Sequence, residues 1–325
     1  MKRIILLLLG AMTLIFLGGA IIGGAWYKNS LEPVAEEPAP APVVFRVASG
    51  ARLGPVAVEL EERGLIRSAL AFTAHARIAE RASDLRAGEY ELDPSASGPE
   101  ILERLTLGQV RTHAVSIPEG LRLTEIADRL AEAELVDRDA FLEVASDPEF
   151  AAELGVEGDD LEGYLFPETY RLARGLEARE VARALVDEFM RVWREIEPTA
   201  TEQGLSMKQV TTLASIIEKE TGAPQERPLI AAVFLNRMRR GMRLETDPTV
   251  IYGIPDFDGN LRRVHLEDAT NPYNTYRIPG LPPGPIASPG EASLRAVIEP
   301  ADTPYIFFVA RGDGSGTHHF SVTYR

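Results

Sequence analysis

The chain has 325 residues, of which 45% are hydrophobic and 26% charged, enough for two or more domains with sizeable cores. Its formal net charge is −15, and the cations Lys2, Arg3 and Lys28 fall in an acid-free first 28 residues, so the rest carries −18 and argues against nucleic-acid binding. With no cysteine, disulfides, zinc thiolates, a cysteine nucleophile and lipoprotein acylation are all excluded.

Ile4 to Tyr27 is an uncharged run of Leu, Ile, Gly and Ala, long enough as a helix to cross a bilayer. Lys2 and Arg3 before it predict a cytoplasmic amino end, and Trp26 and Tyr27 would lie at the far interface. Residues 1–28 are therefore expected to be a cytoplasmic tip and a retained single-pass anchor in the inner membrane. The rest of the chain would then lie outside the cytoplasm. A cleaved signal peptide, with Gly18-Gly19-Ala20 as the small residues, is the competing reading. Residues 29–42, with Pro33, Pro38, Pro40 and Pro42, read as a semi-rigid linker.

An ungapped repeat follows. Residues 50–66 match residues 120–136 at Gly50/Gly120, Arg52/Arg122, Leu53/Leu123, Ala57/Ala127, Leu60/Leu130 and Leu65/Leu135. Each copy is preceded by an alternating, strand-like run, 43–47 and 113–117. Each then has apolar residues at helical spacing, with a second helix near 68–81 and 138–145. Two small duplicated α+β subdomains are expected, 43–110 and 111–200, the second including a helix over 177–196. Either they merely pack, or they bind glycan as LysM-type modules of this size do. A helix is also expected over 97–107. Tyr164 and Tyr170 in the aromatic segment 161–170 read as core, with stacking on sugars as the alternative.

From 201 onward the spacing predicts helices over 207–220, 230–239 and 291–299, a strand over 305–309, and long loops rich in Pro and Gly. The helix 207–220 ends ASIIEKET, so an apolar helix finishes on two acids, Glu218 and Glu220. A carboxyl kept among Leu and Ile side chains holds its proton to higher pH, as a general acid requires. Glu220 falls nearer the middle of the apolar stripe and Glu218 on its flank, and periodicity does not choose between them. The five histidines show no metal-ligand spacing, and no phosphate loop or serine elbow is present. No metal and no cofactor is expected.

ASIIEKET at 214–221, FLNRMRRGMRLETDPTVIYG at 234–253, NPYNTYRIPGLPPGPIASPG at 271–290 and PYIFFVARGDGSGTHHFS at 304–321 together resemble the YceG-like family of endolytic murein transglycosylases. The resemblance covers the chain from Ile4 onward. It implies an α+β architecture with an N-terminal transmembrane helix, LysM-like α+β subdomains and a catalytic domain at 201–325 bearing a helix-borne glutamate. It further implies cleavage of MurNAc–GlcNAc bonds within peptidoglycan strands to leave 1,6-anhydroMurNAc ends, terminating nascent strands beside peptidoglycan synthases. The family's catalytic glutamate is taken as the first acid of the EKE element, Glu218, with its pKa raised by Ile216, Ile217 and nearby aromatics. Asp247, Tyr252, Tyr273, Asn274 and Tyr276 are expected to wall the substrate cleft, with Glu220, Thr246 and Thr275 in support. Two features depart from the family pattern: Glu245 where many relatives have Gln, and an end at Tyr324-Arg325 without the usual acidic tail, which bears on the last strand or a partner contact. Two other classes stay open, a two-carboxylate muramidase using Glu218 and Asp247, and a non-catalytic glycan-binding scaffold.

Overall fold

The structure, a computed structural model, describes residues 2–35, 41–48 and 50–324, with side chains described from residue 12 onward apart from 14 and 15. It divides into two compact units, Met1–Thr112 with Ala173–Gly175, and His113–Leu172 with Leu176–Arg325.

The first unit contains α1 (Lys2–Leu31), β1 (Val43–Val47), α2 (Leu53–Glu62), α3 (Ala69–Ile78), β2 (Gly88–Leu92) and α4 (Gly98–Leu107). β1 and β2 pair antiparallel, with Val43 opposite Leu92 and Phe45 opposite Tyr90. Strand alternation places Phe45, Val47, Tyr90 and Leu92 on one face, where they meet Leu53, Val56, Ala57 and Leu60 of α2 and Phe72 of α3. Ser97 starts α4 with a capping box: its hydroxyl accepts from the Glu100 N–H, and the Glu100 carboxylate accepts from the Ser97 N–H.

The expected anchor, Ile4–Tyr27, falls within α1, and most of its apolar side chains before residue 16 lie outside the described residues. Among the described residues, no helix is long and apolar enough to cross a membrane. The expected linker begins differently from its reading. α1 continues to Leu31, because no proline interrupts it before Pro33. This end is docked on its unit: the Tyr27 hydroxyl lies 3.0 Å from His75 Nδ1, Arg67 Nε donates to the Pro33 carbonyl at 2.8 Å, and the Ala35 N–H donates to the Pro94 carbonyl at 3.1 Å. Residues 36–40 of the linker lie outside the described residues.

The second unit follows β3 (Thr112–Ser116) with α5 (Leu123–Glu132), α6 (Arg138–Ala145), α7 (Pro148–Glu153), β4 (Thr169–Ala173) and the long α8 (Ala178–Glu202). Then come α9 (Met207–Glu220), α10 (Arg227–Arg239), α11 (Asp247–Tyr252), α12 (Arg263–Glu267), α13 (Glu291–Ile298), β5 (Phe307–Ala310) and β6 (His318–Ser321). β3 pairs with β4, and β5 pairs antiparallel with β6. Both repeats thus read strand–helix–helix, but the second adds α7 and the aromatic segment before its closing strand.

Residue 200, expected as a domain boundary, divides nothing in the core. One cluster runs from Val115, Leu130 and Phe141 through Phe189 and Trp193 of α8 to Leu213, Ile216 and Ile217 of α9 and Phe234 of α10. Tyr164 belongs to it, fully buried, edge-on to Phe189 at 5.1 Å, with its hydroxyl donating to the Glu157 carbonyl. It has no face left for a sugar. The short helices α11 and α12 occupy a stretch that reads as loop, since five or six residues hold too few turns to show a periodic pattern. Pro248 in the first turn of α11 is the signal that was available, because a helix start has no use for its missing N–H.

Candidate active site

The capping box of Ser206 and Gln209 sets where α9 begins, and therefore which residues close it fourteen positions later. Glu218 and Glu220 both lie in its last turn. Two helical positions are rotated by about 200°, so the two carboxyls leave the helix in nearly opposite directions. They enter different surroundings.

Glu218 accepts three hydrogen bonds: from Arg227 at 2.8 Å, from the Gly290 N–H at 3.0 Å and from the Ser293 hydroxyl at 2.8 Å. Its side chain is 6% exposed and that of Arg227 10%. Gly290 is the N-cap of α13, so the carboxylate also sits at a helix N-terminus, where negative charge is favoured. Arg227 reaches a second carboxylate, Glu119, at 3.3 Å. Burial, followed by the charge of Glu218, pushes the Glu119 carboxyl up, while Arg227 opposes the shift. The apolar cage expected around Glu218 is absent: Ile216 and Ile217 point into the core, and the carboxylate is surrounded by donors. None of its three hydrogen-bond partners comes from the YNTY segment.

Glu220 meets Thr246, whose hydroxyl donates to Oε1. Burial raises its pKa above the ordinary carboxylate range; the Thr246 bond opposes this, the charge of Asp247 adds to it, and His318 lowers it slightly. Its carboxyl lines a cavity of about 160 Å³ together with Thr246, Asp247, Tyr276, Arg237 and Phe308. Across that cavity the Tyr276 hydroxyl donates to Asp247 Oδ1 at 2.7 Å. Burial, then the bond to Asp247, raises the Tyr276 phenol, so it stays a donor.

The expected supporting threonines build the floor. Thr246 is 2% exposed and Thr275 fully buried. The Thr246 N–H donates to Thr275 Oγ1 at 3.1 Å, and the Thr275 and Thr249 hydroxyls lie 2.8 Å apart. Glu245 just before them has a left-handed backbone, φ +54, and its carboxylate pairs with Arg237 at 3.2 Å. A non-glycine residue held there is strained by roughly 1 kcal/mol or more, so the ion pair and the flanking Thr275 carbonyl, which accepts from the Glu245 N–H, hold the turn in place.

The remaining expected wall residues divide. Tyr252 and Tyr273 pair with each other, ring centroids 4.7 Å apart, and neither lines the cavity of Glu220. Asn274, expected to hold a substrate group, is fully buried: its amide donates to the carbonyls of His265, Leu266 and Asp268, and its Oδ1 accepts from the Tyr276 N–H. It shapes the loop and has no donor left for a ligand. Leu281 and Pro282 of the GLPPG segment line a different cavity, of about 480 Å³, with Lys208, Gln209 and Met238. Tyr276 and the pair Leu281 and Pro282 thus line separate cavities, while Tyr273 lies close to Gly284 of the GLPPG segment.

Arg237 escaped the sequence reading, where it passes for a dipole-complementing cation at a helix end. Its side chain is 8% exposed, and it donates to the carbonyls of Ile306, Arg243 and Leu244, joining α10 to β5 and to the lip of the cavity. Its spacing of seven from Ile230 and three from Phe234, both buried, is the signal that places it on the inner face. The His pair is divided as well. His318 is held by Glu226, Nδ1 to Oε2 at 2.7 Å, with its N–H donating to Oε1 at 3.0 Å, and so pins β6 to the α9–α10 connection.

The family model describing YceG-like proteins matches residues 45–325. The chain belongs to the YceG-like family. Among curated proteins, this chain is 31% identical to the endolytic murein transglycosylase of Bacillus subtilis (strain 168), over 90% of its own length and 86% of the relative's. It is 28% identical to that of Streptococcus pneumoniae strain D39, over 90% of its own length and 58% of the longer relative. Among solved structures, a putative yceG-like protein from Listeria monocytogenes is 30% identical, with a TM-score of 0.60, covering 87% of this chain and 96% of that one.

Proposed function

We propose that this YceG-like chain is a lytic murein transglycosylase in which Glu220 is both acid and base. The observation that carries the assignment of the acid is the contrast between the two glutamates. Glu218 is engaged by three donors, Arg227, the Gly290 N–H and the Ser293 hydroxyl, whereas Glu220 accepts from Thr246, is raised above the ordinary carboxylate range by burial and lines a cavity with Asp247 and Tyr276. The names of the relatives supply the reaction class.

The chemistry needs one carboxyl. Glu220 as the acid gives its proton to the oxygen between MurNAc and GlcNAc, and the bond from that oxygen to C1 of MurNAc breaks. The resulting carboxylate takes the proton of the muramyl C6 hydroxyl as that oxygen attacks C1 and closes the 1,6-anhydro ring. The glutamate ends protonated, and no water is consumed. Attack from within the same sugar removes the second carboxylate that hydrolysis requires. Thr246 holds Oε1 and leaves Oε2 for the substrate, while the Asp247–Tyr276 bond fixes one wall. Digested murein analysed by mass spectrometry tests the reading: anhydroMurNAc ends are expected, and reducing ends would establish hydrolysis.

A hydrolase remains the second reading because exposed Asp247 lies at the same cavity as Glu220; the pair Glu218 and Asp247 is not brought together. Thr246→Val is expected to move the basic limb of the pH–rate profile upward, since it removes a bond that favours the carboxylate. An unmoved limb would show that Thr246 does not tune the acid.

The uncharged run within α1 supports a single-pass anchor in the cytoplasmic membrane, with the rest of the chain outside the cytoplasm, near the peptidoglycan synthases whose strands it would cut internally. In the first unit, β1-α2-α3-β2 is a LysM-like order. A polar cavity of about 380 Å³ lined by Glu91, Asp93, Arg104 and Gln109 offers hydrogen bonds to glycan. Loss of the chain from the membrane fraction on deleting residues 2–28 would support the anchor, and no change would refute it.

A further inference from the structure

The last turn of α1 is built into the first unit rather than hung from it. Ser30 is buried, and Leu31 lies so close to Gly98 that a Cβ there would stand 3.2 Å from its Cδ2. Arg67, just before α3, donates from Nη1 to Asn29 Oδ1 at 3.3 Å as well as to the Pro33 carbonyl. The Tyr27 hydroxyl lies 3.0 Å from Nδ1 of His75, in the last turn of α3. In an unbroken helix Tyr27 and Leu31 are about 6 Å apart along the axis. α3 therefore meets α1 at the level where the uncharged run of α1 ends.

α3 itself has two apolar faces. Phe72 and Ala76 are fully buried in the core of the unit. On the open side Leu70 is 71% exposed and Ile78 73%, with half-buried Ala74 between them. At about 100° per residue, positions 70, 74 and 78 fall within an arc of about 80°, so both large aliphatic side chains stand on one stripe. Exposed Arg77 flanks it, and Trp26 of α1 is exposed as well. Although the chain carries a net charge of −15, no Asp or Glu occurs from Arg63 to Ala79. The first acid after the helix is Glu80.

We propose that the Leu70–Ala74–Ile78 face of α3 rests on the bilayer surface beside α1, with Arg77 and Arg67 toward anionic phospholipid headgroups. This rests on the reading of α1 as a membrane anchor. Two observations choose a lipid surface as the occupant. The stripe adjoins the end of the uncharged run through the Tyr27–His75 contact, and its charge is opposite to that of the chain as a whole. An amphipathic helix in this setting sinks its aliphatic side chains below the headgroups and keeps its arginines among them. Two exposed aliphatic side chains bind a membrane only marginally by themselves, so the contact depends on α1 holding the face in place. The first unit is then seated on the membrane, not free on a tether, and meets glycan strands where they leave it.

The absence of cysteine supplies the test, because one introduced thiol is a unique labelling site. The full chain carrying Leu70→Cys, Ile78→Cys or Val44→Cys is labelled with a polarity-sensitive fluorophore and reconstituted into vesicles of phosphatidylcholine and phosphatidylglycerol. Val44 is the control, an exposed side chain on the sheet face turned away from the helices. Brominated lipid is expected to quench the label at 70 and 78 but not at 44, and aqueous iodide the reverse. Omitting phosphatidylglycerol should weaken the contact about fivefold for each arginine at the surface. Iodide quenching at 70 and 78 equal to that at 44, in chains that float with the vesicles, overturns the proposal and leaves the anchor standing. Protection from iodide without quenching by brominated lipid also overturns it, since a second copy of the chain would then cover the face. Chains that do not float with vesicles defeat the anchor reading, and this inference with it. Either labelled position decides should the other variant fail to fold.

Discussion

Glu220→Gln is expected to abolish release of anhydro-muropeptides, with activity lower by about a hundred- to ten-thousandfold, the range for removing a general acid–base. The upper part of that range applies, because one group carries both proton transfers. The fold should survive. Gln keeps an acceptor for the Thr246 hydroxyl and has no charge to desolvate. The stability profile gives an independent check. Burial raises the folded-state pKa of Glu220 above its unfolded value. Its contribution to stability is then complete below the unfolded pKa and lost as pH rises through the folded one. Wild type should therefore lose stability, relative to Glu220→Gln, from mildly acidic pH upward. Thermal melts of both proteins across that range, with product analysis, test both parts. Anhydro ends at the wild-type rate from Glu220→Gln would remove the acid from this position.

Glu218→Ala, by contrast, is expected to be a stability variant before it is an activity variant. It leaves Arg227, 10% exposed, facing only the half-exposed Glu119, and strips partners from Gly290 and Ser293. Removing one member of a buried pair costs about 3–5 kcal/mol, a fall in Tm on the order of 10 °C for a domain of this size. The second half of the test is the double variant Glu218→Ala with Arg227→Met. Without an orphaned guanidinium it should recover much of the loss, since the single-variant cost is mainly that of the unpaired charge. Activity per folded molecule should follow the geometry of α13 and α10 rather than vanish. A Glu218→Gln protein as stable as wild type but inactive would return the acid to position 218.

Much of the architecture could be read along the chain, because local rules decide it. β1 is found at 43–47 and α6 at 138–145 as expected, and α9 spans 207–220, since period-two and period-3.6 apolar patterns and capping residues such as Ser206 act within a few residues. The shared core was not readable: whether residues 111–200 and 201–325 have separate interiors depends on which apolar faces meet, and both portions present such faces. The short helices α11 and α12 were hidden by their length.

At the site, sequence alone determined that an apolar helix ends on two acids beside a Thr-Asp-Pro turn and a YNTY loop, and that no thiol chemistry is available. It also identified Tyr276 and Asp247, which do meet at the cavity. Only the tertiary structure gave Glu218 and Glu220 their different surroundings, turned Asn274 inward and joined Glu162 to Tyr252. The physical reason is that a carboxyl's proton affinity is set by what stands opposite it, and those partners come from residues 119, 227, 246, 290 and 293. Helix periodicity says which way each side chain leaves, but an arginine or a threonine waiting there is a property of the folded chain.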